Sequence, residues 1–174
     1  IRRMIQTDPM ELFLIRHGLT DWNRERVCQG QTDVPLNDEG RDQARKLGAR
    51  LAKVNFDAAF SSDLSRAHET AQIALADRGL DITINPMLRE MAFGEWEGQH
   101  LADLFTRLPE ERAKWLEDPG AWQPPGGECL ATVQERMSRC LDELWARSDD
   151  YERVVVFSHG FAILTYICAV IGTP

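Results

Sequence analysis

The chain is poor in cysteine, and its cysteines are widely spaced. The 174 residues include four, Cys28, Cys129, Cys140 and Cys168, and no two of them form a C-x-x-C pair. Zinc knuckles and disulfide scaffolds need closer or more numerous cysteines, so both are excluded. Separate thiols are typical of a reducing compartment, and we expect a cytoplasmic protein.

The chain also lacks an excess of basic charge. It carries 20 Lys and Arg against 28 Asp and Glu, which gives a formal net charge of −8. Nucleic-acid backbones are bound by clustered Lys and Arg, so we expect no nucleic-acid partner. An anion site in so acidic a protein has to be local, built from a few cations at one place.

No apolar run is long enough to cross a membrane. The most apolar stretch, residues 161–171, is shorter than the roughly 20 residues that a span needs and contains Thr165 and Tyr166. We expect it to form a buried helix, and we expect no membrane partner. The polar opening, residues 1–11, carries no signal segment and is predicted to be a disordered tail or a cloning remnant.

Apolar strands alternate with amphipathic helices along the chain. Short apolar runs at residues 12–15, 56–61, 82–84 and 154–158 are predicted strands, and the segments between most of them carry apolar residues at helical spacing. This alternation predicts an α/β fold with a mostly parallel sheet and helices on both faces.

Local signals refine this prediction. Asn37 is expected to cap one helix, Ser62 or Asp63 the next, and Gly79 to end the latter. Residues 87–127 are less regular and are predicted to be a lid-like insertion in a single domain of residues 12–174. The tryptophans of this insertion could line a pocket, although packing is the more common role: Trp96, Trp115 and Trp122.

Two of the predicted strands run into a His-Gly pair. The first leads to Arg16-His17-Gly18 and the last to His159-Gly160. Open α/β sheets bind ligands at the carboxyl ends of their strands, and a glycine there permits a close approach. A single histidine after a strand is more often a packing residue, but the same arrangement at two strand ends indicates one active site.

The residues around these histidines suit a phosphate group. Arg16 precedes His17, and Arg66 lies in the first turns of the helix after the second strand, where the helix dipole attracts anions. The planar fork of arginine can bind two phosphoryl oxygens. Nearby cations lower the pKa of an imidazole, so His17 would be a neutral nucleophile at pH 7, able to attack phosphorus.

Glu90 is the candidate general acid for the leaving alkoxide. It follows the third predicted strand, so it belongs at the same edge of the sheet as the two histidines. To be protonated near neutral pH, its carboxyl group needs a pKa raised by burial or by the bound phosphate. A surface salt bridge is the alternative role for this glutamate.

Taken in order, the motifs resemble those of the histidine phosphatase superfamily, also called phosphoglycerate mutase-like. The matching runs are Leu14-Ile15-Arg16-His17-Gly18-Leu19-Thr20-Asp21-Trp22-Asn23, Gln29-Gly30, Asp33-Val34-Pro35-Leu36, Ser61-Ser62-Asp63-Leu64-Ser65-Arg66-Ala67, Leu88-Arg89-Glu90, Gly94-Glu95-Trp96-Glu97-Gly98, Pro125-Gly126-Gly127-Glu128 and Ser158-His159-Gly160. The resemblance covers nearly the whole chain from Leu12. It implies a three-layer αβα sandwich around the parallel sheet.

The resemblance also implies roles for individual residues. It implies a phosphohistidine on His17, proton donation by Glu90, and phosphate contacts from Arg16, Arg66 and His159. The candidate substrate-binding residues from the same motifs are Thr20, Asn23, Gln29, Gly30 and Gly160. It implies no metal and no cofactor, and it implies a small phosphorylated metabolite as substrate with inorganic phosphate as product.

Within the superfamily, the run from Glu90 to Glu97 is similar to that of small phosphatases, namely alpha-ribazole phosphatase of cobalamin assembly and the broad-specificity phosphatases. Mutases usually carry a longer insertion between the acid and the second histidine, so hydrolysis is favoured. A cofactor-dependent phosphoglycerate mutase and a noncatalytic protein that binds a phosphorylated partner stay open as alternatives. A homodimer also stays open.

Three features depart from the family pattern. Leu19 stands where the family usually has Glu, and Cys129 stands where Ser commonly follows Gly-Glu. Both are expected to alter substrate contacts without changing the phosphoryl chemistry. Family members usually continue beyond the position of Pro174 with another strand, so the resemblance implies truncation at the carboxyl end.

Two other hydrolase classes fit less well. A cysteine phosphatase needs Cys, five residues and then Arg, but Cys129 and Cys140 are each followed by an arginine one residue too late. A zinc hydrolase needs clustered ligands such as His-Glu-x-x-His. The four histidines are instead scattered, at His17, His68, His100 and His159.

Overall fold

A computed structural model describes residues 10–173, and its sheet has four strands in which every pairing is parallel. The strands are β1 (Glu11–Arg16), β2 (Ala58–Ser61), β3 (Ile82–Ile84) and β4 (Arg153–Ser158). Their spatial order is β1-β4-β2-β3. Because all four run in the same direction, their carboxyl ends meet at one edge, where proteins of this class bind ligands.

Seven α-helices surround the sheet in the described part of the chain. They are α1 (Asp21–Glu25), α2 (Asp38–Leu51), α3 (Ser65–Ala74), α4 (Leu101–Arg107), α5 (Pro109–Glu117), α6 (Leu130–Trp145) and α7 (Gly160–Ile171). The helices α2 and α3 cover one face of the sheet, and α6 and α7 cover the other. The predicted three-layer α/β arrangement is confirmed.

β4 shows why the apolar run of residues 154–157 is continuous. Val154 and Val156 pack into the core shared with α6 and α7, whereas Val155 and Phe157 pack into the core shared with α3. All four side chains are completely buried. Full burial of one such side chain stabilises the fold by about 1.5–3 kcal/mol, so β4 anchors both layers and holds the residue that follows it in a fixed place.

Local start signals predict one helix correctly and another wrongly. The Asn37 side chain caps α2 by accepting a hydrogen bond from the backbone three residues on, at 2.9 Å. By contrast, α3 begins after Leu64, which makes no side-chain cap. The expected caps lie earlier: Ser62 accepts from the Leu64 N–H, and Asp63 pairs with Arg89. The Asp63 carboxylate therefore binds Arg89, 26 residues away in sequence, and does not cap α3.

Two boundaries also differ from expectation. Residues 1–9 of the predicted tail lie outside the described residues, but Met10 is buried and Glu11 opens β1. The Glu11 N–H donates to the Glu152 carbonyl, which extends the pairing of β1 with β4. At the other boundary, α3 ends at Ala74 and not at Gly79, which takes a φ of +60° in the turn that leads to β3.

The irregular segment predicted at residues 87–127 borders the carboxyl edge of the sheet. It begins within one 3₁₀ turn (Pro86–Leu88), contains another (Gly94–Trp96), and includes α4 and α5. Several of its aromatic side chains line a cavity that also contains His17. This segment therefore forms a wall of the candidate site.

α7 is not the buried helix that its composition predicts. Ala162, Thr165 and Tyr166 are buried, but other apolar side chains are exposed: Leu164, Ile167, Val170 and Ile171. The reason is that apolar residues surround this helix, whereas only one of its faces packs against α6 and β1. No helix among residues 10–173 is both long and apolar enough to span a bilayer.

Candidate active site

The two predicted histidines lie side by side at the carboxyl edge of the sheet. Arg16 is opposite Ser158 in the pairing of β1 with β4, so His17 and His159 follow at the same level. The backbone N–H of His17 donates to the Ser158 carbonyl at 3.0 Å, and the centroids of the two imidazole rings are 5.1 Å apart. The register of one strand pair therefore brings the two residues together.

The ring of His17 is held in a single tautomer. Its Nδ1 lies 2.7 Å from the Gly18 carbonyl oxygen, and because a carbonyl only accepts, Nδ1 carries the proton. Burial, opposed by this hydrogen bond and reinforced by Arg66 and Arg16, lowers the pKa of His17 to about 3. The ring is therefore neutral at pH 7, with the lone pair on Nε2.

His159 is completely buried, and neither of its ring nitrogens has a hydrogen-bond partner within residues 10–173. Burial, together with the nearby charge of Arg66, lowers its pKa well below the ordinary value. Buried polar atoms nearly always have partners. The ring of His159 is therefore free to donate a hydrogen bond to a ligand beside His17, and an anionic ligand would favour its protonated form.

Two arginines bring positive charge to the same place. Arg66, in the first turn of α3, is buried, and its guanidinium donates to the Gly30 carbonyl at 2.7 Å and the Thr32 carbonyl at 2.9 Å. These bonds leave three of its five N–H groups for other acceptors. Arg16 lines the same cavity. Neither arginine takes part in an ion pair within the described chain.

The predicted substrate-binding residues divide into two groups. Asn23, Gln29 and Gly30 line the cavity together with His17. Thr20 is fully buried and supports two of them: its hydroxyl donates to the Gln29 side chain at 2.9 Å and accepts from the Asn23 N–H at 3.1 Å. The structure thus places Thr20 behind the cavity wall.

The two glycines that follow the histidines have different neighbours. A Cβ on Gly18 would lie 2.5 Å from the Gly40 carbonyl oxygen, so the missing side chain lets α2 approach. This corrects the expectation that Gly18 makes room for a ligand. Gly160 does face the site, because a Cβ there would lie 3.6 Å from the Arg16 guanidinium carbon and from one carboxylate oxygen of Glu90.

Glu90 lies between the N-terminus of α7 and the cavity. Its carboxylate accepts hydrogen bonds from the N–H groups of Met91 at 2.9 Å, Phe161 at 3.2 Å and Ala162 at 3.2 Å. Burial raises the pKa of Glu90, and these bonds and the charge of Arg66 oppose the increase. Glu90 forms no ion pair with any described residue, so the alternative of a surface salt bridge is wrong.

An aromatic wall completes the cavity, whose volume is about 320 Å³. Six rings follow one another with centroid separations of 4.8–6.3 Å, in the order Phe93, Phe161, Trp115, Trp122, Trp96 and Phe105. Trp96 and Trp122 are also buried in the main core. Both roles that the sequence left open, packing in the core and lining a pocket, are therefore confirmed for these two tryptophans.

The cavity has two cationic side chains in its wall. Arg16 and Arg66 are the only arginine or lysine residues among those that line it. A larger hollow of about 1000 Å³ lies between the carboxyl ends of α2 and α3, at the opposite edge of the sheet, and includes no histidine. Within residues 10–173, no three His, Cys, Asp or Glu side chains are grouped to hold a metal ion.

Sequence reasoning missed the residue that holds the loop of Gly30 in place. The Glu97 carboxylate accepts hydrogen bonds from the N–H groups of Gln31 and Thr32, at 3.0 and 2.8 Å, and from the Thr32 hydroxyl at 2.5 Å. The same loop supplies the carbonyls that hold Arg66. A glutamate in a polar segment gives no local signal of such partners, and only the run Gly94–Gly98 as a family motif pointed to it.

Comparisons with known proteins agree with this geometry. The chain matches the family model of the histidine phosphatase superfamily (branch 1) over residues 12–174. It is 36% identical over 168 residues to adenosylcobalamin/alpha-ribazole phosphatase of Escherichia coli strain K12. The aligned region covers 95% of this chain and 81% of that protein. It is 36% identical over 170 residues to glucosyl-3-phosphoglycerate phosphatase of Mycolicibacterium vanbaalenii, and that alignment covers 94% of this chain and 75% of the relative. The crystal structure of alpha-ribazole phosphatase from Shigella flexneri superposes with a TM-score of 0.86 at 35% identity, over 95% of this chain and 81% of that one.

Proposed function

Because the chain belongs to the histidine phosphatase superfamily (branch 1) and is an enzyme of that family, we propose that it hydrolyses phosphomonoesters of small metabolites through a phosphohistidine on His17. The observation that carries the proposal is the tautomer of His17. The Gly18 carbonyl binds the proton on Nδ1, and the lowered pKa keeps Nε2 unprotonated at neutral pH. A lone pair next to two cations is suited to attack phosphorus.

In the first step, Nε2 of His17 forms a bond to phosphorus while the bond from phosphorus to the ester oxygen breaks. The transferred group spreads negative charge over three equatorial oxygens, and catalysis depends on donors placed around them. Arg16, Arg66 and His159 are the donors that we assign to these oxygens. In the described part of the chain, neither arginine forms an ion pair and neither ring nitrogen of His159 has a hydrogen-bond partner, which supports this assignment.

Glu90 is the residue that we assign to proton transfer. Its raised pKa and its place in the cavity wall support donation of a proton to the departing alkoxide. In the second step the resulting carboxylate takes a proton from water, whose oxygen attacks phosphorus. The bond between nitrogen and phosphorus breaks, inorganic phosphate leaves, and His17 returns to its neutral form.

The charge distribution in the cavity favours hydrolysis over mutase activity. A phosphoglycerate carries a carboxylate in addition to its phosphate, and a bisphosphorylated cofactor carries a second phosphate. Among the described residues, the cavity is lined by no arginine or lysine besides these two, and most of its remaining wall is aromatic or aliphatic. Burial of an unpaired anion costs several kcal/mol. A leaving group without charge therefore fits better than a phosphorylated acid.

Alpha-ribazole 5'-phosphate is the specific substrate that we propose. Its leaving group is uncharged and contains a flat benzimidazole ring, which suits the row of six aromatic rings. The printed names of the relatives from Escherichia coli and Shigella flexneri support this choice. A broad-specificity phosphatase is the second candidate, and it is favoured by the largely aromatic wall, because contacts with aromatic rings do not require one particular pattern of hydrogen bonds.

Further proposals concern the setting of the enzyme. The four cysteines are free, which supports a cytoplasmic location. The net charge of −8 supports the absence of a nucleic-acid partner. The exposed apolar side chains of α7 support a homodimer, which light scattering coupled to size-exclusion chromatography would test: a monomeric mass at micromolar concentration contradicts it.

The test is phosphate release from a panel of esters, with EDTA present and His17→Ala as the control. The panel contains alpha-ribazole 5'-phosphate, p-nitrophenyl phosphate, 3-phosphoglycerate and fructose 2,6-bisphosphate. We expect release that survives EDTA, is fastest with alpha-ribazole 5'-phosphate and disappears in His17→Ala. Similar rates with all esters would support the broad-specificity enzyme. Tight binding of the esters without release by the folded chain would support the noncatalytic alternative.

A further inference from the structure

A partly buried ion pair behind the site, Arg136 with Glu128, holds the loop that carries Glu90. We call residues 87–92 the acid loop. Arg136, on α6, uses all five of its N–H groups: it donates to the carbonyls of Met87 at 2.8 Å, Arg89 at 2.7 Å and Glu90 at 2.9 Å, and to both carboxylate oxygens of Glu128 at 2.9 and 3.0 Å. One side chain thus fixes three backbone positions at or before Glu90.

Glu128 completes the attachment on the other side of Glu90. One of its oxygens accepts the Ala92 N–H at 2.9 Å and the Gln31 amide at 3.4 Å. Burial alone would raise the pKa of Glu128, but the bonds from Arg136, Ala92 and Gln31 bring it below the ordinary value. The carboxylate is therefore ionised, and the acid loop is bound to the ion pair both before and after Glu90.

Gln31 connects the acid loop to the loop that holds the phosphate-binding arginine. Its side-chain amide also donates to the Glu90 carbonyl at 3.1 Å. Its neighbours in the chain, Gly30 and Thr32, supply the carbonyls that bind Arg66. The position of the acid and the position of the arginine are therefore set by one network of hydrogen bonds.

Neither Arg136 nor Glu128 lines the cavity, so neither side chain is placed to touch a substrate. We propose that Arg136 and Glu128 are positioning residues that set the distance between the Glu90 carboxyl group and the leaving oxygen. This rests on the proposed function, in which Glu90 is the acid. Proton transfer needs a donor about 2.6–3.2 Å from the oxygen, and a misplacement of about 1 Å costs on the order of 10²-fold in rate.

This role has a signature that a general loss of packing would not produce. A nitrophenolate leaves without a proton, whereas the alkoxide of benzyl alcohol needs one. Displacement of Glu90 therefore slows the first step with benzyl phosphate and leaves the first step with p-nitrophenyl phosphate nearly unchanged. The second step is the same for both esters, so the two are compared by kcat/KM, which reports the first step alone. Damage to the phosphate-binding end would slow both esters equally.

The experiment compares the two esters in the wild-type chain, in Arg136→Lys and in the control Arg139→Lys, which changes an exposed arginine on the same helix. Lysine keeps the charge of Arg136 but cannot make its five bonds. We expect kcat/KM for benzyl phosphate to fall by about tenfold or more in Arg136→Lys, up to the factor of about 10² to 10⁴ that a general acid supplies. The kcat/KM for p-nitrophenyl phosphate should stay within about twofold, and Arg139→Lys should match the wild type.

Equal losses of kcat/KM on both esters, or no loss on either, would overturn the positioning role. If Arg136→Lys does not fold, Glu128→Gln decides in the same way, because it keeps the shape of the side chain and removes the ionised partner. Failure of the proposed function is separate: it appears in the wild type, as release of phosphate that does not depend on His17.

Discussion

Replacement of Arg66 tests the phosphate-binding end of the site most sharply. Its guanidinium is buried at the start of α3, where two carbonyls use two of its five N–H groups. The Nε–H is buried and has no partner in residues 10–173. We assign the three remaining N–H groups to the phosphoryl oxygens, so Arg66→Ala removes donors that nothing else in the described cavity replaces.

The size of the effect is worked out for two of these three N–H groups. A bidentate contact contributes two charge-assisted hydrogen bonds, each of about 1.5–3 kcal/mol. Their loss from the transition state amounts to about 3–6 kcal/mol, and about 1.4 kcal/mol corresponds to a factor of ten. We therefore expect kcat/KM to fall by about 10²- to 10⁴-fold in Arg66→Ala. Arg66→Lys keeps the charge without the fork and should fall between this variant and the wild type.

The assay is the initial rate of p-nitrophenyl phosphate hydrolysis, with far-ultraviolet circular dichroism to verify folding. Arg50→Ala, which removes an exposed arginine near the end of α2, serves as the matched control and should keep the wild-type rate. A folded Arg66→Ala enzyme that retains activity within about threefold would refute the assignment, because a single lost bond to a charged group already exceeds that factor.

Three further predictions concern the cavity wall, the buried histidines and the packing of α2. Trp115→Ala should raise KM for alpha-ribazole 5'-phosphate about tenfold and leave methyl phosphate unaffected, since an aromatic contact contributes about 0.5–1.5 kcal/mol beyond its buried area; equal effects on both esters would contradict the leaving-group assignment. The pKa of His17 is about 3 in the folded chain and 6.5 as its ordinary value, so the unfolded chain binds more protons between these pH values and the free energy of unfolding falls as the pH drops below 6.5. At pH 5 this amounts to about 2 kcal/mol, and urea titrations should show a smaller decrease from pH 7 to pH 5 in His17→Gln than in the wild type. Gly40→Ala should lower the melting temperature because its Cβ would collide with the Leu19 carbonyl oxygen, although alanine normally favours a helix over glycine by about 1 kcal/mol; a higher melting temperature would disprove this contact.

The sheet and its histidines are predictable because their signals are local. Continuous apolar runs mark β1 and β4, and the residues that follow parallel strands meet at one edge whatever the rest of the chain does. The burial of α7 is not predictable in the same way. Its apolar residues surround the helix, and only the packed structure shows that Leu164 and Val170 are exposed.

The functional groups are easier to predict than the residues that hold them. His17, Arg66 and Glu90 have reactive or charged side chains at strand ends or at a helix start, and the family motifs include them. By contrast, the bonds of Arg136 to the acid loop join positions 46–49 residues apart, and nothing in the pattern of α6 distinguishes this arginine from the exposed Arg139. Gly18 is the opposite case. The motif correctly marks it as a position that needs glycine, but the glycine makes room for α2 and not for a ligand.

Detection of the covalent intermediate is the most direct test of the role that we assign to His17. The enzyme would be mixed with p-nitrophenyl [³²P]phosphate, stopped with alkali after a few milliseconds and digested, and the labelled peptide would be sequenced by mass spectrometry. The account predicts a label on His17 that survives alkali, is lost in acid and is absent from His17→Ala. A wild-type enzyme that hydrolyses the ester without forming a label, or that carries it on another residue, would contradict the role assigned to His17.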